Sequence, residues 1–331
     1  MAANGKKSAK PPFADLENKS WEKRFIAAKR LTGDPGKQEF ALLAASSRRS
    51  VGRRLIALLD DPDSRVRREA ATALGALGCH EAVDALVAGL ADSSEWVRLQ
   101  SGEALGKLGG EAIAPVVSSH LQQEGEPHVR ATLVKVLGLI GNDQMTAVLA
   151  LYLEDSDARV RANCVEALLR LNASKDTMRK QLLKLASDGN NRVLANAALG
   201  LVSLGDPRKG REILNRMLES ADEYMRASAI YALGEIRDRN DLSALIRMLG
   251  DSSWLVRKNA VRSLGKFGKM ATKPTSEAFR SSNPLVRLGA VEVLGILGDI
   301  TLRQEVIRLL EDDSGEVRSK AEEVLDLLEA R

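Results

Sequence analysis

Three histidines, two cysteines and a scatter of carboxylates are the groups this 331-residue chain brings to metal, nucleophile or proton-transfer chemistry. His80, His120 and His128 form no cluster of zinc spacing with Cys79 or Cys164. No glycine-rich phosphate loop follows a strand, and no Ser, His and Asp grouping emerges from residue order alone. Cys164 stands four residues after Val160 on an apolar helix face, where it reads as a small buried hydrophobe. Cys79 reads as a turn residue with no partner nearby, so no disulfide framework is expected. Catalytic groups are thin, and attention moves to what would position a surface.

The positioning element is a repeat. Val-Arg, followed about seven residues later by Ala-Leu-Gly, places arginines at Arg67, Arg98, Arg130, Arg161, Arg226, Arg257, Arg287 and Arg318, with Leu194 in the same place in one copy. Successive gaps of 31, 32, 31, 33, 32, 31, 30 and 31 residues predict stacked units that bury their apolar faces against neighbours. In residues 60 to 90, an Asp-rich turn precedes a helix whose face is Val66, Ala70, Ala73, Leu74 and Leu77; Gly78 ends it, and a second apolar helix runs from Ala82 to Leu90. We term the Val-Arg helix B and its partner A. Ala70, Ala71, Ala73 and Gly75 suit close helix approach, as do Gly106, Gly138, Gly234, Gly265 and Gly295, each of which costs a helix about 1 kcal/mol against Ala. The arginine column reads as an Asp–Arg ladder reaching turn carboxylates such as Asp61, Asp92 and Asp155, against the alternative of a basic ligand stripe. Leu194 interrupts it, and easier bending is expected there. Pro115 and Pro274, placed inside A helices, are expected to kink them.

The stretches DDPDSRVRREAATALGALG at 60–78 and DSDARVRANCVEALLRL at 155–171 resemble the HEAT family, and within it the short bacterial and archaeal repeats first described in phycobilisome lyase subunits. The resemblance covers about residues 50–331. It implies an all-α, right-handed α-α superhelix, a HEAT-like solenoid of about nine two-helix repeats, at 51–331. A helical cap at 13–50 and a basic leader at 1–12 would precede it.

The net charge of +4 hides an asymmetry. Residues 1–54 carry thirteen Lys/Arg against five Asp/Glu, while the remainder carries 36 against 40. Lys23, Arg24, Lys29, Arg30, Arg48, Arg49, Arg53 and Arg54 read either as the solvated face of a terminal repeat or as a patch for an anionic partner. Within this segment Trp21 to Leu31 reads as a helix with Ser20 as N-cap, a worn repeat, broken by Thr32 to Gly36. One or two helices follow, interrupted near Ser46 and Ser47. Glu311 to Arg331 reads as the closing polar cap. A mildly acidic solenoid argues against nucleic acid as its partner and leaves that role to the basic N-terminal segment alone. No apolar run of membrane-spanning length and no signal-peptide core is present in the sequence, so a cytoplasmic protein without membrane insertion is expected.

The resemblance implies that B helices line a concave surface. The position six after the repeat Val holds Glu103, Lys135, Glu166, Leu199, Tyr231, Arg262 and Glu292, and a neighbouring column holds Asn163, Asn196 and Asn259. Glu103, Lys135 and Glu166 are expected to pair between repeats. Leu199 and Tyr231, bordered by amides, make an apolar centre of the kind found in protein recognition. Trp96 and Trp254 read as covers of the inter-helix core or as edge anchors. The expected function is a non-catalytic adaptor that binds another protein on this surface and needs no cofactor or metal. The alternatives are a bilin lyase-like subunit and a nucleic-acid-binding or DNA glycosylase-like protein. The helical-repeat hydroxylases are set aside, because the resemblance ties them to a di-iron centre built from several His-Glu pairs and only His80 is followed by Glu.

Overall fold

Each repeat closes as a helix pair because its two helices are apolar on one side only. The computed structural model describes residues 13–329 except Asn172; the expected leader, 1–12, lies outside the described residues. Among these the chain is all-α, a HEAT-like solenoid of two-helix repeats without a strand. The B helices are α1 (Trp21–Arg30), α4 (Ser64–Leu77), α6 (Glu95–Leu108), α8 (Pro127–Ile140), α10 (Ala158–Arg170), α12 (Asn191–Ser203), α14 (Glu223–Ile236), α16 (Trp254–Lys266), α18 (Pro284–Leu297) and α20 (Gly315–Glu329). The A side consists of α2 (Asp34–Leu42), α3 (Ala45–Ala57), α5 (Val83–Gly89), α7 (Ala114–Gln123), α9 (Thr146–Leu151), α11 (Lys175–Leu185), α13 (Pro207–Leu218), α15 (Leu242–Met248), α17 (Lys269–Ala278) and α19 (Arg303–Arg308).

The chain divides into two compact units, residues 1–174 and 175–331. In the first, α1, α4, α6, α8 and α10 stack in order; in the second, α12, α14, α16, α18 and α20 do so. The type helix α4 shows why. Asp63 caps it by accepting from the Arg65 N–H at 2.9 Å. Val66, Ala70, Ala73 and Leu74 are fully buried, and Gly78 ends the helix in the left-handed region at φ 71°. Small residues set the inter-helix distance: a Cβ on Gly138 would lie 2.7 Å from the Ala167 Cα, and one on Gly75 2.8 Å from the Ala104 Cα.

The arginine column is the ladder, not a free stripe. Arg67 grips Asp92 through Nε (2.7 Å) and Nη2 (2.9 Å), and Arg98 holds Glu124, Arg130 holds Asp155, Arg226 holds Asp251 and Arg287 holds Asp312 in the same two-pronged way. Each of these arginines also turns Nη1 back onto carbonyls of its own repeat's turn; for Arg67 that is Asp61 O at 2.8 Å. Each acceptor takes a backbone N–H two residues on, as Asp92 does from Ser94 at 2.8 Å. One guanidinium thus ties two consecutive turns together. The side chains are 18% exposed or less, so a rung contributes more than an exposed surface pair.

Local expectations needed correction at four places. The break expected over Thr32 to Gly36 is shorter, because Pro35 suits the first turn of α2 and the helix resumes at Asp34. The next interruption falls at Leu43 and Ala44 rather than near Ser46. Ser20 caps α1 by backbone geometry alone, its hydroxyl being taken by Glu22. Pro115 lies in the first turn of α7, where no N–H bond is lost, and so causes no interior kink; Pro274 does lie inside α17.

Candidate functional site

The face of α3 made by Ala45, Arg48, Arg49, Gly52, Arg53 and Ile56 follows steps of three, one, three, one and three, which puts all six on one side of the helix. The flank of the helix next to Arg48 buries Val51 and Leu55. With the buried face committed inward, the arginine face turns towards the C-terminal end of α4 and the turn that follows. Between them lies a cavity of about 640 Å³ whose further lining is Phe40, Leu77, Gly78, Cys79 and Glu81. Gly52 lies at its floor, where a Cβ would make only ordinary contact with the Cys79 Sγ at 3.7 Å. Arg48, Arg49 and Arg53 are exposed and make no ion pair among the described residues. Glu81 is the single acidic side chain of the lining. The arrangement can hold an apolar body while placing cationic donors against its acidic groups.

Cys79 supplies no nucleophile to this cavity. Burial pushes its thiol up to about 11, with Glu81 adding to the effect, so it stays protonated near neutrality. Cys164 is fully buried as expected, its Sγ 2.7 Å from the Leu149 carbonyl, and burial raises its pKa still further.

The expected anionic patch is only partly assembled. Arg24 belongs to the ladder, donating to both Asp61 oxygens, and Arg54 Nε lies 3.1 Å from Glu17. Lys29 lies over the Phe25 ring at 5.6 Å, while Lys23 and Arg30 are exposed on α1. Arg48, Arg49 and Arg53 remain as a cluster. Sequence reasoning named them but missed their cavity, although their helical spacing was visible.

The two expected groove columns fare unevenly. In the first unit, Lys135, Asn163 and Glu166 line a cleft of only about 40 Å³, too small for a ligand. Asn163 is committed to the fold, donating to the Ala131 carbonyl at 2.8 Å. Glu103 and Lys135 do not form the expected ion pair. In the second unit, Tyr231 is 52% exposed and the Lys266 Nζ sits 4.7 Å from its ring. Arg262 is exposed, Leu199 and Asn259 are half-buried, and Asn196 is buried and therefore offers little surface. Glu292 is half-buried; burial raises its pKa, opposed by Lys320. Trp96 and Trp254 do not cover the core. They are 52% and 62% exposed, beside His128 and Lys258 respectively.

Metal-binding capacity is narrow. His80, the histidine followed by Glu, is exposed and directs Nδ1 at the Leu108 carbonyl, 3.0 Å away. Among the described residues one group of three or more possible ligands converges, Glu95, Glu126 and His128. A two-metal centre made of several facing His-Glu pairs does not fit this donor set.

Comparison with known proteins places these features. The profile for HEAT repeats matches residues 52–124, 114–179, 210–275 and 248–326. The deoxyhypusine hydroxylase of Danio rerio is 28% identical over 288 residues, covering 85% of this chain and 91% of the relative. The phycocyanobilin lyase subunit alpha of Picosynechococcus sp. is 27% identical over 218 residues, covering 59% and 81%. The solved complex of CpcE and CpcF of phycocyanin lyase from Nostoc sp. is 20% identical with a TM-score of 0.47, covering 90% and 97%. Hydroxylases aligned along most of both chains overturn the expectation of a non-catalytic adaptor. No helix among the described residues is long and apolar enough to cross a membrane.

Proposed function

This chain belongs to the HEAT-repeat family, and from that premise we propose that it is an enzyme, or the ligand-holding subunit of one. Its small ligand is an apolar molecule bearing carboxylates, seated in the cavity beside α3. The observation that carries this reading is the trio Arg48, Arg49 and Arg53, without an ion pair among the described residues, on one helix face over an apolar floor, whereas Arg67, Arg98, Arg130, Arg226 and Arg287 are each held by a carboxylate. The enzyme names of the relatives support the catalytic half of the reading. Two-metal chemistry is no part of it, because the described residues bring together one group of possible ligands and not the facing pairs such a centre needs. A carboxylate entering the cavity receives charge-assisted hydrogen bonds worth about 1.5–3 kcal/mol each.

A protein is the second substrate in this reading. The exposed Tyr231, with Arg262 and Lys266 near it on consecutive B helices, provides an aromatic anchor rimmed by charge. The test is binding of biliverdin, an apolar dicarboxylate, by the full chain, with inorganic phosphate as the comparison. We expect saturable biliverdin binding that weakens at least tenfold in Arg49→Glu/Arg53→Glu, with an unchanged circular dichroism spectrum. Equal binding by wild type and variant overturns the reading, and so does a preference for phosphate alone.

A further inference from the structure

We propose that Glu95, Glu126 and His128 form a site for one divalent transition-metal ion, of the Zn²⁺, Ni²⁺ and Co²⁺ class. The three residues come from equivalent turns of successive repeats. Glu95 is the first residue of α6, Glu126 caps α8 and His128 lies in its first turn. Stacking of α6 on α8 brings one ligand atom from each to within 4.8 Å of the others.

Their hydrogen bonding points to an absent partner. His128 Nε2 is shut off from solvent and has no hydrogen-bond partner. Glu95 Oε2 approaches it to 3.7 Å, too far for a hydrogen bond. Glu126 occupies the N-cap position without bonding its own helix through the side chain, and among the described residues its carboxylate forms no ion pair; the nearby Arg98 guanidinium acts on it only at longer range. Glu124, two residues earlier, shows the contrast: both its oxygens are held by Arg98. Three donor atoms of the right types thus face one another with their lone pairs unspent.

The geometry suits a metal. With a metal–nitrogen bond of about 2.0–2.1 Å and a metal–oxygen bond of about 2.0–2.2 Å, a separation of 3.7 Å corresponds to an angle of about 125°. Glu126, exposed at the rim, has the side-chain torsions to close the third bond. One imidazole and two carboxylates form a mixed nitrogen and oxygen set that suits borderline ions. The two negative charges balance the ion and outweigh the partial positive charge of the two helix starts, while the nearby Arg98 charge is met by Glu124, which holds it through both oxygens. Three protein ligands leave a further position for water or a substrate atom. This site is separate from the α3 cavity and does not depend on the reading given to that cavity.

The test uses the full chain, freed of metal with a chelator and titrated with Zn²⁺ by calorimetry and with Ni²⁺ or Co²⁺ by fluorescence. The Trp96 and His128 ring centroids are 5.2 Å apart, so Ni²⁺ or Co²⁺ at His128 quenches Trp96 emission. We expect one equivalent of Zn²⁺ and saturable quenching. Affinity should fall at least tenfold in His128→Ala and in Glu126→Gln, and Trp96→Phe should lose the quenching while keeping the Zn²⁺ equivalent. Glu126→Gln alters an exposed side chain, so it reports on binding even if His128→Ala fails to fold. Absence of saturable Zn²⁺ binding overturns the proposal and leaves His128 and Glu95 as an ion pair. Binding unchanged by Glu126→Gln overturns it equally.

Discussion

Arg24 clasps Asp61 with Nε on one carboxylate oxygen and Nη2 on the other at 2.9 Å, across 37 positions of sequence. The rungs from Arg67, Arg98, Arg130, Arg226 and Arg287 span 25 or 26. Arg24 also turns Nη1 onto the Asn18 and Lys19 carbonyls, as the later arginines do on their own turns. The segment before the recognisable repeats is therefore a repeat in its own right, lengthened by an additional A-side helix, α2. Its first arginine is a tie and not a free charge.

Breaking that tie should loosen the N-terminal end. Arg24→Met leaves the Asp61 carboxylate, buried in the structure, without its strongest donor. We expect a loss of about 2 kcal/mol, read by denaturant unfolding. Lys23→Met on the same helix should change stability by less than about 0.5 kcal/mol. Equal effects of the two would remove Arg24 from the ladder.

Acid should dissolve the ladder. The hydrogen bonds from Arg287 hold Asp312 at about 2 against its burial. At Asp92, Glu124 and Asp251 burial pushes upward, but the arginine bonds prevail and leave each below its ordinary value. A carboxylate whose folded pKa lies below its unfolded one stabilises the fold above the unfolded value and loses that contribution as pH falls through the folded one. Glu69, Asp241 and Glu292, raised by burial, act with the opposite sign. The ladder carboxylates outnumber them, so thermal stability should be level from about pH 6 to 8 and fall steadily from about pH 4 towards 2. A protein as stable at pH 3 as at pH 7 would contradict this.

The rung above Arg257 lacks its acid. Arg257 bonds the Asp251 and Ser252 carbonyls through Nη1, but Ser281 stands where most turns carry Asp or Glu, and among the described residues no carboxylate bonds the remaining edge of the guanidinium. Ser281→Asp is expected to complete the rung and add about 1 kcal/mol. The gain should vanish in an Arg257→Met background, and a gain that survives there would show that the new charge acts elsewhere.

Gly138 and Gly295 occupy the same place in different B helices but meet different neighbours. A Cβ at Gly138 would press to 2.5 Å from the Ala167 Cβ and 2.7 Å from its Cα, whereas one at Gly295 meets only the Val324 Cγ2 at 3.1 Å. Helix propensity favours Ala over Gly by about 1 kcal/mol at both. Overpacking against backbone should outweigh this at Gly138 and make Gly138→Ala destabilising by about 1–2 kcal/mol. Gly295→Ala should be neutral or stabilising, because a side-chain methyl can give way. Unfolding midpoints of the two variants decide the matter.

What the sequence alone determined is periodic. Apolar spacing, the glycine columns and the matched Asp and Arg columns recur at one interval, and each is satisfied by a neighbour one repeat away, so the ladder and the packing could be read without coordinates. The gap at Leu194 was legible in the same way; Leu194 is buried, and the acid column beside it holds Ser220. Only the tertiary structure decided which side chains were left over. Asn163 and Asn196 read as surface amides until one was found bonded to a carbonyl and the other buried, because rotation of a helix about its axis is set by the packing of both neighbours. The α3 cavity arose from which face of that helix Val51 and Leu55 drew inward. Glu95, Glu126 and His128 lie about one period apart, yet their convergence depends on side-chain directions at helix starts, which spacing does not encode. Chemistry escaped the sequence for the same reason: a repeat records how its units stack, while a site depends on the few residues that stacking leaves unsatisfied.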